Sequence, residues 1–129
     1  MHYELYLPFP PSNNNYYMKT QRGVYISEKG RKFRDQVAEA ISQQVPGEFI
    51  DERMLVETVY FMPDNRKRDV ANYSKALHDA ITEAGLWEDD SLIDQNFEYR
   101  GAVHKKGSVF IRITPAAPVM PIGMTPPED

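Results

Sequence analysis

The sequence predicts an α+β domain, or an α/β domain with a mixed sheet, and three observations support that fold class. The chain has 129 residues, which suits one compact domain rather than two independent cores. Hydrophobic residues make up 41% of it and aromatic residues 12%, enough for a buried core. The segments follow the order strand, helix, strand, helix, hairpin, which is typical of helices packed on a mixed sheet.

The first segments predict a strand, a polar loop and a hairpin. Tyr3, Leu5 and Leu7 alternate with polar residues, the period of a strand with one buried face. Proline follows at Pro8 and ends the strand, because proline has no N–H to donate to a ladder. The run 12–15 has the polar residues of a loop. Apolar triplets at 16–18 and 24–26 flank a basic segment, which indicates a hairpin or a flexible basic loop.

Two amphipathic helices are predicted, with a strand between them. Ser27 is predicted to cap the first, in which apolar residues recur at helical spacing until Pro46 and Gly47 stop it. Residues 54–62 are rich in β-branched and aromatic residues and predict a strand. The second helix is expected to begin just after Asp69 and to end at Gly85, a residue suited to the left-handed turn after a helix.

The last third predicts a hairpin and a tail. Apolar residues at 97–103 and 109–113 flank a Lys-Lys-Gly turn, which is typical of two strands joined in a hairpin. Five prolines occur in the last fifteen residues without any periodicity. We therefore expect one domain over residues 1–114 and an extended, largely unpacked proline-rich tail over residues 115–129.

Composition excludes several functional classes. The chain has no cysteine, so it has neither a disulfide framework nor a thiolate nucleophile or metal ligand. The three histidines are scattered without the spacing of a zinc site. No apolar run approaches the roughly 20 residues of a membrane span, and the N-terminus lacks the pattern of a signal peptide. We expect a cytoplasmic protein without a membrane partner.

Positive charge is concentrated locally although the net charge is −4. One basic run lies between Lys19 and Arg34 and contains a single acid, Glu28; a second is the tripeptide 66–68. Phosphate binding needs only a local positive surface. The alternative interpretation is that each run is merely a solvated face. The candidate DNA-binding residues are Asn13, Asn14, Lys29, Arg31, Lys32, Arg34, Arg66, Lys67 and Arg68.

The strongest chemical signal is a cluster of acids around the second helix. Asp69 lies at its predicted start and Asp90 in the loop after it, and the helix between them spans about 15 residues or roughly 22 Å. The two acids therefore meet only if the loop doubles back along the helix or the cluster forms in another way. If they converge, their oxygens suit Mg²⁺ or Mn²⁺, an arrangement used in phosphodiester hydrolysis.

Each of these residues also has an ordinary structural interpretation. Asp69 is an acceptable helix cap. Asp89 and Asp90 are common turn residues. Lys75 is an acceptable solvated helix lysine, and residues 13–15 are an acceptable loop.

Four segments together resemble the RusA family of Holliday-junction resolvases, which are small prophage-associated endodeoxyribonucleases. They are a leader motif at residues 7–14, a helix start at 27–34, a central acidic motif from 63 to 76, and a closing motif from 79 to 90. The likeness runs from about Tyr3 to Ile113. It implies a single domain with two main helices packed on a small mixed sheet.

The resemblance also implies function and site residues. It implies a homodimer that binds four-way DNA junctions and cuts paired strands with Mg²⁺, for which Mn²⁺ substitutes, in DNA recombination and repair. By position, Asp69 and Asp90 are the implied metal ligands and Lys75 the essential basic group near the scissile phosphate. Asn72 matches the asparagine of the central motif, and Asp79 and Asp89 are candidate supporting acids.

The chain departs from the family pattern at Ala71, where the second aspartate is expected. Alanine cannot bind a metal, so the predicted site loses one carboxylate and should be weakened or inactive. An introduced substitution and a natural variant are both consistent with the sequence. In a natural variant, Asp89 or Asp79 would partly replace the missing group.

Two other functions remain open on the sequence alone. One is a protein that binds DNA junctions without cutting them, which Ala71 favours. The other is a metal-dependent nuclease that acts on forks and flaps. A purely structural phage protein explains neither the basic runs nor the acid spacing.

Overall fold

The computed structural model describes residues 1–117 and 120–128, a mixed α+β domain built on a four-stranded sheet. The strands are β1 Tyr3–Leu7, β2 Tyr17–Thr20, β3 Gly23–Ile26, β4 Met54–Phe61, β5 Ile93–Arg100 and β6 Ser108–Pro115. The helices are α1 Asn13–Tyr16, α2 Glu28–Gln44 and α3 Ser74–Ala84. Two 3-10 turns cover Val70–Asn72 and Asp90–Leu92. The predicted α+β class is confirmed.

The predicted tail at 115–129 includes Pro118, Val119 and Asp129, which lie outside the described residues.

The sheet has the order β1-β6-β4-β5, and β4 is parallel to β5 but antiparallel to β6. The prediction of a hairpin between the last two strands is therefore wrong, because β4 lies between them. The connection at 101–107 crosses the end of β4, where the Gly101 N–H donates to the Tyr60 carbonyl and the His104 N–H to the Met62 carbonyl, each at 2.9 Å. Neighbouring strands are only about 4.8 Å apart. A short loop can therefore cross the end of one intervening strand as readily as it can join two adjacent strands in a hairpin.

The predicted helices form, but α3 begins later than expected. Ser27 caps α2, since its hydroxyl accepts a hydrogen bond from the Gly30 N–H at 3.0 Å. Gly85 ends α3 with a left-handed φ of 82°. α3 starts at Ser74, however, and Asp69 makes no capping hydrogen bond. The interpretation of Asp69 as the α3 cap is thus wrong, and its carboxylate has no capping role.

The core lies between the helices and one face of the sheet. Along β4, residues alternate between buried and half-exposed, and the buried ones pack with the apolar faces of α2 and α3. The two largest fully buried side chains are Trp87 and Tyr16. Among the helices of the described residues, none has the length and apolar content to cross a bilayer.

Candidate functional site

The leader segment, residues 8–17, passes the N-terminal end of α3. The Asn13 side-chain oxygen Oδ1 accepts a hydrogen bond from the Ala76 N–H at 2.9 Å. The first N–H groups of a helix have no partner within the helix, and Tyr73, at the capping position, supplies no side-chain bond. Asn13 therefore caps α3 from a distant part of the chain, beside Lys75.

A second contact joins the leader segment to α3 one turn further on. The Tyr16 hydroxyl donates to the Asp79 carboxylate, and Arg34 donates to the same carboxylate and to the Tyr16 hydroxyl, each at 2.7 Å. Tyr16 is fully buried, and burial together with the Asp79 carboxylate raises its pKa. Asp79 and Arg34 are therefore engaged with each other between the two helices, and the metal role of Asp79 and the DNA role of Arg34 stay predictions.

Lys75 lies exposed at the first turn of α3, at the edge of a cavity of about 590 Å³. Its ammonium nitrogen Nζ is 5.0 Å from the centre of the Tyr17 ring. The cavity is lined by Asn13, Asn14, Tyr17, Lys19, Val24 and Lys75. Two lysines and two amides on one open cavity make it suited to an anionic ligand. Sequence reasoning missed Lys19 as a candidate, although it begins the basic run.

The loop after α3 packs back against the helix. This is one of the two arrangements under which the sequence allows Asp69 and Asp90 to meet. Trp87 donates from Nε1 to the Thr82 hydroxyl at 2.6 Å and packs edge-on against the His78 ring. Burial raises the pKa of Tyr17, and the negative charges of Asp79 and Asp90 contribute to that rise. The second 3-10 turn, Asp90–Leu92, contacts α3, so the chain beyond the loop returns to the helix that carries Lys75.

Asp69 lies exposed just before the first 3-10 turn, whose residues contact α3 and β5. Ala71 and Asn72 within that turn are also exposed. Across residues 1–117 and 120–128, neither Asp69 nor Asp90 takes part in a salt bridge. Asp89 is likewise exposed.

The acidic side chains that the sequence predicts as metal ligands fit a divalent ion only in part. The described portion of the chain contains no group of three or more acidic or histidine side chains arranged to hold a metal. Mg²⁺ commonly takes one or two protein carboxylates and completes its shell with water and substrate phosphate. Two carboxylates are as many as Mg²⁺ needs from a protein when DNA completes its shell. A site of three or more acidic or histidine side chains is not present in the described residues.

Glu98 is a carboxylate that sequence reasoning missed. It is half-buried on β5, where its Oε2 accepts from the Tyr60 hydroxyl at 2.6 Å and its Oε1 from the Asn96 amide at 3.1 Å. Burial of the Tyr60 side chain is the main reason that its pKa is raised, and the hydrogen bond to the Glu98 carboxylate raises it further. No local pattern marks it, because Glu98 owes its burial to its place in the sheet, opposite the buried Thr58 of β4.

The basic tripeptide 66–68 is organised by one acid. Asp64 accepts from the Arg66 N–H at 2.9 Å and pairs with both Arg66 and Arg68. The hydrogen bond from Arg68 is the main reason that the pKa of Asp64 is lowered. The Arg68 side chain is only 14% exposed, against 78% for Arg66. Lys67 is exposed without a salt bridge among the described residues, so the three cations do not present equal charge to a ligand.

Cationic residues line both sides of the leader segment. A cavity of about 360 Å³ on one side is lined partly by Arg66, Lys67 and Arg68. A cavity of about 370 Å³ on the other side is lined partly by Lys29 and Lys32 of α2. Both cavities share Phe9, Pro10 and Asn15 of the leader segment. Arg31 instead donates to the Ile26 carbonyl at 2.9 Å.

Comparison with known proteins connects this arrangement to one family. Residues 8–114 match the family described as Endodeoxyribonuclease RusA. The crossover junction endodeoxyribonuclease rusA of Enterobacteria phage HK97 is 37% identical over 112 residues, which cover 87% of this chain and 93% of the relative. The corresponding protein of Escherichia coli (strain K12) is 35% identical, and that of Enterobacteria phage 82 is 36% identical, over the same coverage. The chain belongs to the RusA family of endodeoxyribonucleases.

Proposed function

We propose that the chain is a Holliday-junction resolvase, a structure-specific endodeoxyribonuclease that hydrolyses phosphodiester bonds at four-way DNA junctions. It acts in DNA recombination and repair, with Mg²⁺ or Mn²⁺ as its cofactor. The proposal extends to this chain the activity named for its relatives from phage HK97 and Escherichia coli. Its proposed catalytic domain spans residues 1–114. β6 ends at Pro115, and the Ala116 N–H donates to the Arg53 carbonyl at 3.0 Å, so the predicted tail begins against the domain.

The observation that carries the proposal is the exposed Lys75 at the edge of a cavity that Lys19 also lines. Cavities lined partly by cations lie on both sides of the neighbouring leader segment. Two lysines beside an open cavity, flanked by cationic surfaces, suit a phosphodiester better than an uncharged ligand.

Each residue has a defined task in this mechanism. Asp69 and Asp90 would hold the divalent ion, which when bound lowers the pKa of a water molecule and stabilises charge on the phosphate. Lys75 neutralises the negative charge that grows on the phosphate oxygens in the transition state. Asn72 and Asp89 support the two acids. Lys19 and Asn14 bind the phosphates on either side of the cut.

Phosphate contacts outside the cavity position the DNA without reading its sequence. Lys67 and Arg66 lie on one side of the leader segment, and Lys29 and Lys32 on the other. A four-way junction has two-fold symmetry, so a homodimer of this chain would match it and nick two strands.

Ala71 favours a second candidate function, a protein that binds junctions without cutting them. The first 3-10 turn presents a methyl group where a third carboxylate would otherwise lie. Loss of that ligand leaves the basic surfaces unchanged. This alternative predicts tight junction binding with or without metal, and no cleavage.

A cleavage assay on three substrates separates these functions. The chain and its Ala71→Asp variant are incubated with a four-way junction, a fork and a plain duplex in Mg²⁺ or Mn²⁺. A resolvase nicks the junction symmetrically, and a broader nuclease cuts the fork as fast. Binding with no cleavage by either protein identifies the non-cutting binder and contradicts the proposal.

A further inference from the structure

We propose that Asn13 and Tyr17 are positioning residues for Lys75: Asn13 fixes the first turn of α3, and Tyr17 holds the lysine ammonium against its ring. The inference rests on the proposed function, in which Lys75 acts on the scissile phosphate. It replaces the sequence prediction that Asn13 serves as a DNA contact.

The position of Lys75 depends on the first turn of α3. Lys75 is the second residue of that helix. Its neighbour Ala76 donates its N–H to Asn13 Oδ1 at 2.9 Å, across 63 residues of sequence. Because no side chain near Tyr73 caps the helix, the first turn would fray without this contact. A frayed turn would move the lysine backbone together with its side chain.

Tyr17 restrains the other end of the lysine. The distance of 5.0 Å from Nζ to the ring centre is within the range of a cation–π contact. The Tyr17 ring packs edge-on against Tyr16, with centroids 4.8 Å apart. Tyr16 is in turn held by Asp79 and Arg34. A long and flexible side chain thereby gains one preferred direction, toward the cavity.

The two contacts act on rate rather than on affinity. Asn13 Oδ1 is already engaged by the helix, and the Tyr17 ring is half-buried against Tyr16. Misplacing a catalytic group by about 1 Å can cost about 100-fold in rate. Removing either contact should therefore slow the chemical step while junction binding persists.

The test uses the full chain, or its Ala71→Asp variant if that cleaves faster. The substitutions are Asn13→Ala with Asn13→Asp as the conservative partner, and Tyr17→Leu with Tyr17→Phe. Ile113→Val, a buried change in the sheet core, controls for lost stability. Junction affinity is measured in Ca²⁺, cleavage rate under single turnover with saturating enzyme, and exchange of the Ala76 amide hydrogen by NMR without DNA.

We expect Asn13→Ala and Tyr17→Leu to slow cleavage by about 10- to 100-fold with affinity within about twofold. Asn13→Asp keeps the cap and Tyr17→Phe keeps the ring, so both should retain most of the rate. The Ala76 amide should exchange faster in Asn13→Ala than in Ile113→Val. Weakened binding at an unchanged rate, or unchanged Ala76 exchange, overturns the inference alone. If neither the chain nor its Ala71→Asp variant cleaves junctions, the proposed function is overturned and this inference with it.

Discussion

Arg34 Nη2 lies 2.7 Å from Asp79 Oδ2, an ion pair that joins the middle of α2 to the middle of α3. Both side chains are about three-quarters buried, and the Tyr16 hydroxyl completes the group. Asp79→Asn should therefore lower the free energy of unfolding by about 1.5–3 kcal/mol, the range for hydrogen bonds to charged groups. Urea denaturation with linear extrapolation measures this loss.

A double-mutant cycle provides the control for this pair. If Arg34 and Asp79 stabilise each other, replacing both by alanine should cost less than the two single losses added. Unchanged stability in Asp79→Asn, together with weaker Mg²⁺ binding, would return Asp79 to the metal site.

Ala71→Asp should accelerate junction cleavage in Mg²⁺. The substitution adds a carboxylate to the exposed first 3-10 turn, two positions after Asp69. Loss of an outer partner of a metal ligand costs about 10- to 100-fold in activity or metal affinity, and a direct ligand should matter at least as much. Single-turnover cleavage against Mg²⁺ concentration measures the effect. Ala71→Ser, which adds polarity without charge, should stay near the parent rate, and an equal gain in both variants would argue against a missing ligand.

The cations of residues 66–68 should contribute unequally to DNA binding. Lys67 is exposed and has no salt bridge among the described residues, whereas Arg68 is mostly buried against Asp64. Each lost phosphate contact reduces the slope of log affinity against log salt by about 0.9. Lys67→Ala should show that reduction with unchanged stability. Arg68→Ala should mainly destabilise the fold, and the reverse pattern would refute this assignment.

His78 should make the fold less stable in mild acid. The side chain is 7% exposed, and its Nε2 has no hydrogen-bond partner in the described structure. Burial lowers its pKa below the ordinary 6.5, against the opposing charges of Glu98 and Asp90. The unfolded chain therefore binds the proton first, so stability is complete above pH 6.5 and falls as the pH drops below it.

Thermal unfolding between pH 7.5 and 5.5 tests this pH dependence. The loss should reach at most about 1.4 kcal/mol per pH unit from this one group. His78→Gln should flatten the profile, and His104→Gln, a change at an exposed histidine, should not. A profile that His78→Gln leaves equally steep would assign the effect to other groups.

Much of the fold was predictable because local chemistry determines it. Ser27 caps α2 and Gly85 ends α3 as expected, and the strand predicted at 54–62 forms as β4. The false hairpin arose because turn residues specify a change of direction but not the partner strand. Which edges pair depends on contacts distant in sequence, here those of β4 with both β5 and β6.

The candidate site was only partly predictable from the sequence. The central and closing motifs identified Lys75 and Asp90 as candidates, and the structure places Lys75 at the edge of a cavity, beside the Tyr17 ring. Asn13 could not be recognised as a helix cap, since its partner is 63 residues away. The ion pair between Asp79 and Arg34 could not be predicted, because it joins two helices and no pattern of neighbouring residues in the sequence indicates it.

The central claim is that Asp69, Lys75 and Asp90 cut DNA junctions together, and the rate of junction cleavage by Asp90→Asn tests it most directly. Asparagine keeps the shape of the side chain and removes the charge that a divalent ion requires. In the chain or its Ala71→Asp variant, whichever cleaves faster, we predict a loss of at least about 100-fold in rate, with junction affinity in Ca²⁺ within about twofold. Cleavage by Asp90→Asn at the parent rate would contradict the account.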